Sequence, residues 1–158
     1  MALDDDATIL DLYKLAVEQA DRVSSRRATA NTYFLTLNTA LTAFVAVLTS
    51  TEGSASVPTV DTFALVMTSI AGMVLSVAWW LLLRSYRDLN RAKFKVITEM
   101  EQEHLPVRIF EREWDHLKQD EPLPWWKGRY AELGFVERTV PIVFFVVYAA
   151  LGVRVWLR

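Results

Sequence analysis

Three long stretches without a charged residue constrain the fold of this chain more than any other feature. They cover residues 28–51, 62–83 and 139–153 and hold 24, 22 and 15 residues. An α-helix needs about 20 consecutive apolar residues to cross the hydrocarbon core of a bilayer. The chain has 158 residues, of which 53% are hydrophobic and none is a cysteine. This pattern excludes an ordinary soluble enzyme, a disordered chain and a disulfide-bonded secreted domain.

We therefore predict an all-α integral membrane protein with three transmembrane helices, at 28–51, 62–83 and 139–157. A third segment that enters the membrane and returns on the same side is the main alternative. An amphipathic helix at 1–27 is expected to continue directly into the first span, because neither Pro nor Gly occurs from residue 7 to Glu52. The acidic N-terminus does not resemble a cleavable signal peptide, so the first span is expected to be retained.

The distribution of basic residues predicts the topology. The connector at 52–61 has no Lys or Arg, whereas basic residues precede the first span and follow the second: Arg22, Arg26, Arg27, Arg84, Arg87, Arg91, Lys93 and Lys95. The positive-inside rule places the N-terminus and residues 84–138 in the cytoplasm and 52–61 outside as a turn. Three spans then put the C-terminus outside the inner membrane of a bacterial cell.

The second long helix is expected to begin near Asp61, to pass Gly72 as a point of close packing, and to end before Pro106. It extends into the cytoplasm, where 84–138 forms a helical extension and an aromatic-rich connector. Pro141 is expected close to the start of the third span, where its missing N–H does little harm. A group of acidic residues is expected to form a solvated surface: Glu99, Glu101, Glu103, Glu111 and Glu113.

The first span is unusually polar. Four of its residues fall within about 40° of one another on a helical wheel: Asn31, Asn38, Thr42 and Thr49. Thr32, Thr36 and Thr39 widen this set into a polar flank. Hydrocarbon offers no hydrogen bonds, so these side chains must face protein or water. They either bond to neighbouring helices or line a pore made by several copies, since one chain with three helices cannot enclose a channel.

A second polar pattern follows the second span. Arg84, Arg87, Arg91 and Lys95 are spaced to share one helical face, and Arg22 and Arg26 from the first helix are expected to add to it. Three interpretations are open: anchoring to anionic lipid, ion pairing with Asp88, Glu18 or Asp21, and binding of an anion such as the phosphates of a nucleotide or oligonucleotide. Lys95 lies about 16 Å beyond Arg84 along the helix axis. In an upright helix this is too far from the lipid headgroups, so lipid anchoring explains Arg84 and Arg87 better than Lys95.

Enzyme chemistry has little support in the sequence. Glu113 and His116 have the Glu-x-x-His spacing, but a di-iron bundle needs two such motifs and further carboxylates. The chain has neither an HExxH motif nor a Walker loop. We expect no catalytic residue, no metal site and no cofactor.

Three segments resemble small bacterial membrane effectors of anti-phage systems, in particular the channel subunit of Hailong-type defence. They read LYKLAVEQADRVSSRRATANTYFLTLNTAL at 12–41, RSYRDLNRAKFKVITEMEQEHLP at 84–106 and YAELGFVERTVPIVFFVVYAAL at 130–151. The resemblance implies a nucleotidyltransferase partner whose oligonucleotide product holds an oligomeric channel shut. Together with the helical spacing described above, it makes Arg84, Arg87, Arg91 and Lys95 the candidates for binding the oligonucleotide, and Asn31, Asn38 and Thr42 the candidates for the pore.

Together these patterns favour a gated ion channel or pore that acts in anti-phage defence. The protein is expected to sit in the lipid bilayer as a homo-oligomer, a tetramer or larger, and to respond to a nucleotide or oligonucleotide. The alternative is a non-conducting membrane anchor or accessory subunit that docks a cytoplasmic partner through residues 107–137. A small-molecule transporter would need several copies to share one pathway.

Overall fold

The computed structural model describes residues 2–50, 62–119 and 129–157, and almost all of these residues are helical. The four helices are α1 (Ala2–Ser50), α2 (Thr62–His104), α3 (Ile109–Gln119) and α4 (Arg129–Trp156). The described part of the chain contains no strand, and the all-α prediction is confirmed there. The predicted external turn at 52–61 and the centre of the aromatic-rich connector, at 120–128, lie outside the described residues.

The two long helices begin and end where the sequence predicts. α1 continues without a break from Ala2 to Ser50 because nothing in this segment interrupts its backbone hydrogen bonds. α2 ends at His104, just before Pro106. The amide of Leu105 still donates to the carbonyl of Glu101 at 3.3 Å. Proline has no N–H and disfavours a helical residue before it, so the helix stops there.

α4 differs from the expected third span at its beginning. It starts at Arg129, ahead of the predicted start at 139, so Pro141 lies inside the helix rather than near its first turn. The ring of Pro141 is almost completely buried. A proline inside a helix removes one backbone hydrogen bond. The good helix formers ahead of it, including Ala131 and Glu132, explain why the helix nevertheless begins upstream.

The chain divides into two compact units. Unit 1 contains Met1–Ala28 and Arg84–Glu132, and unit 2 contains Thr29–Leu83 and Leu133–Arg158. The divisions fall where the charged segments of α1 and α2 give way to their uncharged segments. Each long helix therefore contributes its charged part to one unit and its uncharged part to the other.

Unit 2 packs its three helical segments around a small core. Its buried apolar side chains are Val45, Leu65, Trp79, Leu83, Tyr148 and Val155. Gly72 of α2 lies directly against the ring of Tyr148 of α4, since a Cβ atom at Gly72 would be 2.5 Å from three ring carbons. The missing side chain is thus what allows α2 and α4 to approach this closely, as the sequence predicts.

Much of the apolar surface of unit 2 is exposed in the single chain. Among the described residues, two helices are long and apolar enough to cross a membrane: α2 and the Val136–Trp156 part of α4. Only 28% and 17% of their most apolar windows are buried, whereas the core helix of a soluble protein would be mostly buried. α1 does not meet the same criterion, because Asn31, Asn38 and several threonines dilute its apolar stretch.

Unit 1 has a thin core of its own. Ala20 and Val23 of α1 and Ile97 of α2 are buried in it. The ring of Phe94 meets that of Phe110 edge to face, with the centroids 5.6 Å apart. This contact packs α3 against α2.

Replacing Gly72 by alanine is expected to destabilise the fold, because the new methyl group would overlap the ring of Tyr148. Overpacking of this kind costs about 1–3 kcal/mol. Thermal denaturation of the detergent-solubilised protein measures the loss. Gly152→Ala is the matched control, since its methyl group would make only an ordinary 3.6 Å contact with Ser69. Equal midpoints for both variants would contradict the close contact.

Candidate functional site

A buried polar cluster links the three helices of unit 2. Its centre is Asn38 of α1, which is completely buried. The side-chain amide of Asn38 donates to the carbonyl of Phe34 at 2.9 Å, and the Tyr148 hydroxyl of α4 donates to the carbonyl of Asn38 at 3.0 Å. The Thr42 hydroxyl lies 2.8 Å from the same carbonyl and 3.2 Å from the Tyr148 oxygen. The side chain of Tyr148 thus joins α4 to α1 by a hydrogen bond to the backbone.

Two further contacts join α1 to α2. The indole N–H of Trp79 donates to the Asn31 side-chain oxygen at 3.1 Å. The Ser76 hydroxyl lies 2.8 Å from the carbonyl of Gly72 and 3.4 Å from the side-chain oxygen of Asn38. One hydroxyl hydrogen serves one strong bond, so the shorter contact to Gly72 dominates. The Asn31–Trp79 bond is therefore the stronger of the two links between side chains of α1 and α2.

In the structure, the predicted polar residues of the first span face the other helices of unit 2, whereas the threonines beside them are exposed. Asn31, Asn38 and Thr42 all bond within the bundle of their own chain. The side chain of Thr49 lies outside the described residues. Thr36 and Thr39, from the predicted flank, are exposed on the outer face of α1 together with Thr32.

The exposed faces of the three helices in unit 2 differ in chemistry. The outer face of α1 carries Thr32, Thr36, Thr39 and the small residue Ala43 along one stripe, and exposed apolar or aromatic side chains flank this stripe: Tyr33, Leu35, Phe44 and Val47. The outer face of α2 carries large apolar residues at alternating spacings of four and three: Phe63, Met67, Ile70, Val74, Val77 and Leu81. The outer face of α4 is also apolar, with Ile142, Val143, Val146 and Val153. The α1 face groups three threonine hydroxyls within two turns, whereas on α2 the exposed Thr62 lies at the first residue, beside Phe63.

An apolar groove of about 400 Å³ opens between α2 and α4. It is lined by Ser76, Val77, Trp80, Pro141, Ile142 and Phe145. The one hydroxyl in this lining, that of Ser76, already bonds to the carbonyl of Gly72. The groove therefore suits hydrocarbon rather than an anion.

The predicted basic residues all lie in unit 1, and acidic neighbours accompany several of them. Arg22 bonds Glu18 at 2.7 Å, Arg84 lies 4.0 Å from Asp88, and Lys95 lies 3.9 Å from Glu99. All six of these side chains are more than half exposed. Such pairs contribute little to stability, so these cations stay available to other partners. Arg26 and Arg91 are also exposed, and Arg87 is half-buried.

Glu101 forms a site that the sequence does not reveal. Its carboxylate is fully buried in unit 1 and accepts a hydrogen bond from the Tyr13 hydroxyl at 2.8 Å. It also accepts bonds from the amides of Ile109 at 3.1 Å, Phe110 at 3.1 Å and Glu111 at 3.4 Å. These are the first amides of α3, which have no partner within their own helix. A carboxylate is favoured there by both hydrogen bonding and the helix dipole.

The expected solvated surface is therefore wrong for Glu101, although Glu99, Glu103 and Glu113 are exposed. Periodicity alone gives little sign of this, because Glu101 sits among other acidic residues near the end of a helix. The useful signal is Pro106, which ends α2 and lets α3 begin at Ile109, within reach of a carboxylate near the end of α2.

The contact with Glu101 changes the ionisation of Tyr13. Burial is the larger cause, and the hydrogen bond and negative charge of Glu101 add to it, so the pKa of Tyr13 is raised from 10.0 to about 12. Ionising Tyr13 would place two negative charges side by side and remove the donor of the bond. Tyr13 thus keeps its proton, and its hydrogen bond to Glu101, as the pH rises past the ordinary tyrosine pKa of 10.0.

These observations define an all-α chain with two apolar helices that are long enough to cross a membrane and an additional, more polar helix. The sequence profile of the octameric membrane protein family (8xMP) matches residues 10–157, and the chain belongs to this family. No curated protein and no solved structure matches it. Family membership confirms the predicted location in a membrane and the predicted homo-oligomer.

Alkaline titration tests the bond between Tyr13 and Glu101. The folded pKa of Tyr13 is above the unfolded value, so its contribution to stability is complete below about pH 10 and is lost as the pH rises towards about 12. Stability measured by denaturant unfolding is expected to fall across this range in the wild type and less in Tyr13→Phe. Tyr33→Phe, which removes a largely exposed tyrosine, is the control. The same fall in both variants would contradict the assignment.

Proposed function

We propose that this chain assembles as a ring of eight copies in the bacterial inner membrane and forms a gated ion channel or pore. The observation that carries the proposal is the difference between the exposed faces of unit 2. The faces of α2 and α4 are apolar and suit lipid, whereas Thr32, Thr36 and Thr39 give α1 a face of hydroxyl groups. The family name supports the number of copies.

α1 is proposed as the first of three spans. Its uncharged part packs with α2 and α4 in one compact unit, which supports a position at the same depth in the membrane. Its polar groups explain why its hydropathy is lower than that of the other two helices. The positive-inside rule then gives a cytoplasmic N-terminus, a cytoplasmic unit 1 and an external C-terminus.

Small and hydroxyl-bearing residues are enriched where membrane helices meet protein or water rather than lipid. α1 is therefore proposed as the innermost helix of the ring, with its threonine face towards the space that the copies share. The pore-lining role moves from Asn31, Asn38 and Thr42, which bond within their own bundle, to the neighbouring threonines. The role is non-enzymatic.

Control by an anionic ligand is proposed for unit 1. Arg84, Arg87, Arg91 and Lys95 of α2, with Arg22 and Arg26 of α1, offer guanidinium and ammonium donors for the phosphates of a nucleotide or oligonucleotide. A ligand that binds one arrangement of the subunits more tightly shifts the population towards it. Release would favour the other arrangement through mutual repulsion of the clustered cations. An oligonucleotide made by a neighbouring nucleotidyltransferase during phage infection fits this chemistry.

Cysteine accessibility tests the pore. The chain has no native cysteine, so a single substitution gives a unique thiol. In liposomes that conduct, Thr32→Cys, Thr36→Cys and Thr39→Cys are expected to lose current when a charged, water-soluble thiol reagent is added. Val146→Cys, on the apolar face of α4, should not respond. Absence of current from the wild type in every ligand state would overturn the channel and favour a non-conducting anchor that docks a cytoplasmic partner.

Charge reversal tests ligand control. The double variant Arg87→Glu with Arg91→Glu is expected to bind short oligonucleotides about 100-fold more weakly at low salt, because two phosphate contacts become repulsive. Arg112→Glu, at an exposed position on α3, is the control. Fluorescence anisotropy measures the affinity. Unchanged affinity in the double variant would remove these residues from the site.

A further inference from the structure

Unit 1 leaves matching faces of α1 and α2 exposed. The α1 face carries Lys14 and Glu18 with Leu15 between them, and Leu15 is 48% exposed. The α2 face carries Lys95 and Glu99 beside Val96, which is 51% exposed. Both faces combine an apolar side chain with one acid and one base. Two surfaces of this kind can cover one another in an assembly of identical copies.

Two hydrogen bonds fix the relative heights of residues on these antiparallel helices. Tyr13 bonds Glu101 at 2.8 Å near the end of α2, and Lys93 bonds Gln19 at 3.1 Å about two turns earlier on α2. Between these two bonds, Lys14 and Glu99 lie at one height, and Glu18 and Lys95 lie at another. At each height, α1 and α2 thus expose charges of opposite sign.

In a ring with cyclic symmetry, opposite charges that lie at one height on α1 and α2 of one chain also lie at one height on adjacent copies. All subunits of a ring have the same height along its axis, and each interface joins one face of a copy to a different face of the next. When the α1 face meets the α2 face of the next copy, Lys14 lies opposite Glu99 and Glu18 lies opposite Lys95. Leu15 then packs near Val96. The charges are complementary at both heights.

We infer that the exposed faces of α1 and α2 in unit 1 join neighbouring copies, with Lys14 paired to Glu99 and Glu18 paired to Lys95 across the interface. Lys95 then belongs to the interface, and the arginines of the proposed ligand site remain for the anion. The present partners of these groups within the chain do not prevent this pairing. Lys14 lies 3.2 Å from Asp11, and Lys95 lies 3.9 Å from Glu99, in pairs that are largely exposed. Exposed pairs of this kind are weak, so exchanging partners costs little.

The same register places an anion site between two copies, an extension that rests on the proposed function. Beyond the bond between Gln19 and Lys93, Arg22 of α1 and Arg91 of α2 fall at a common height. Like charges brought together across an interface repel unless an anion lies between them. When Glu18 pairs with Lys95 of the next copy, Arg22 is released from its 2.7 Å bond to Glu18. A phosphate group would then be held by arginines from two subunits.

Mixing of charge-reversed chains tests the interface. Lys14→Glu alone and Glu99→Lys alone each place like charges at every interface of a ring, and each is expected to reduce the assembled fraction about tenfold. Alternating the two variants places opposite charges at every interface again. Co-expression should therefore restore assembly to the wild-type level by native mass spectrometry. Glu18→Lys mixed with Lys95→Glu should behave in the same way.

Asp115→Lys, an exposed reversal on α3, is the control and should assemble normally. Circular dichroism shows whether each variant remains helical. Normal assembly of the single variants, or failure of folded variants to recover on mixing, would overturn the interface. Oxidation of a chain carrying Leu15→Cys and Val96→Cys gives an independent result, because a ladder of cross-linked copies supports the interface and a monomer band alone overturns it.

Binding of inorganic tripolyphosphate tests the shared anion site separately. Arg22→Gln and Arg91→Gln are each expected to weaken binding about tenfold, since each removes one of two clamping groups. The assembly-deficient Lys14→Glu chain, which keeps both arginines, should lose binding to a similar degree. Wild-type affinity in Lys14→Glu would overturn the shared site. Conductance of the wild-type ring would survive that result, so the channel proposal and this inference fail independently.

Discussion

The hydrogen bonds of Asn38 determine how unit 2 holds together. The side chain of Asn38 is completely buried, so its hydrogen-bond partners must come from protein. The side-chain amide of Asn38 donates to the carbonyl of Phe34, and the Tyr148 hydroxyl donates to the backbone carbonyl of Asn38. This arrangement needs α4 close to both α1 and α2, and Gly72 provides the room for the Tyr148 ring. Tyr148 therefore makes both contacts: its hydroxyl bonds the backbone of α1 and its ring packs against α2.

In unit 1, the buried carboxylate of Glu101 accepts hydrogen bonds that would otherwise be missing. The end of α2 and the beginning of α3 are joined by a short loop, which leaves the first amides of α3 without partners in their own helix. Glu101 accepts bonds from three of them and from Tyr13 of α1, so one carboxylate ties three helices together. Substituting the tyrosine or the carboxylate removes a link between helices rather than a surface charge.

The two units also differ in what they leave exposed. Unit 2 exposes apolar faces on α2 and α4 and a threonine face on α1, whereas unit 1 exposes alternating charges with a few leucines and valines between them. In the proposed ring, the first pattern places α2 and α4 against lipid and α1 towards the shared interior. In the inferred interface, the second pattern selects which face of one copy meets the next, because like charges at one height repel.

The sequence by itself determined the two long helices, since uncharged runs, Pro106 and the absence of breakers set the bounds of α1 and α2 within a few residues. It also predicted a membrane oligomer. It did not give the start of α4, which lies at Arg129 rather than at 139. Only tertiary structure decided which polar groups face inward: Asn31 and Asn38 bond to Trp79 and Tyr148, while Thr36 and Thr39 remain exposed. A helical wheel gives the angle between side chains but not the positions of neighbouring helices. For the same reason, the sequence does not distinguish Glu101 from the four glutamates near it. Only the position of α3, whose first amides bond the Glu101 carboxylate, does so.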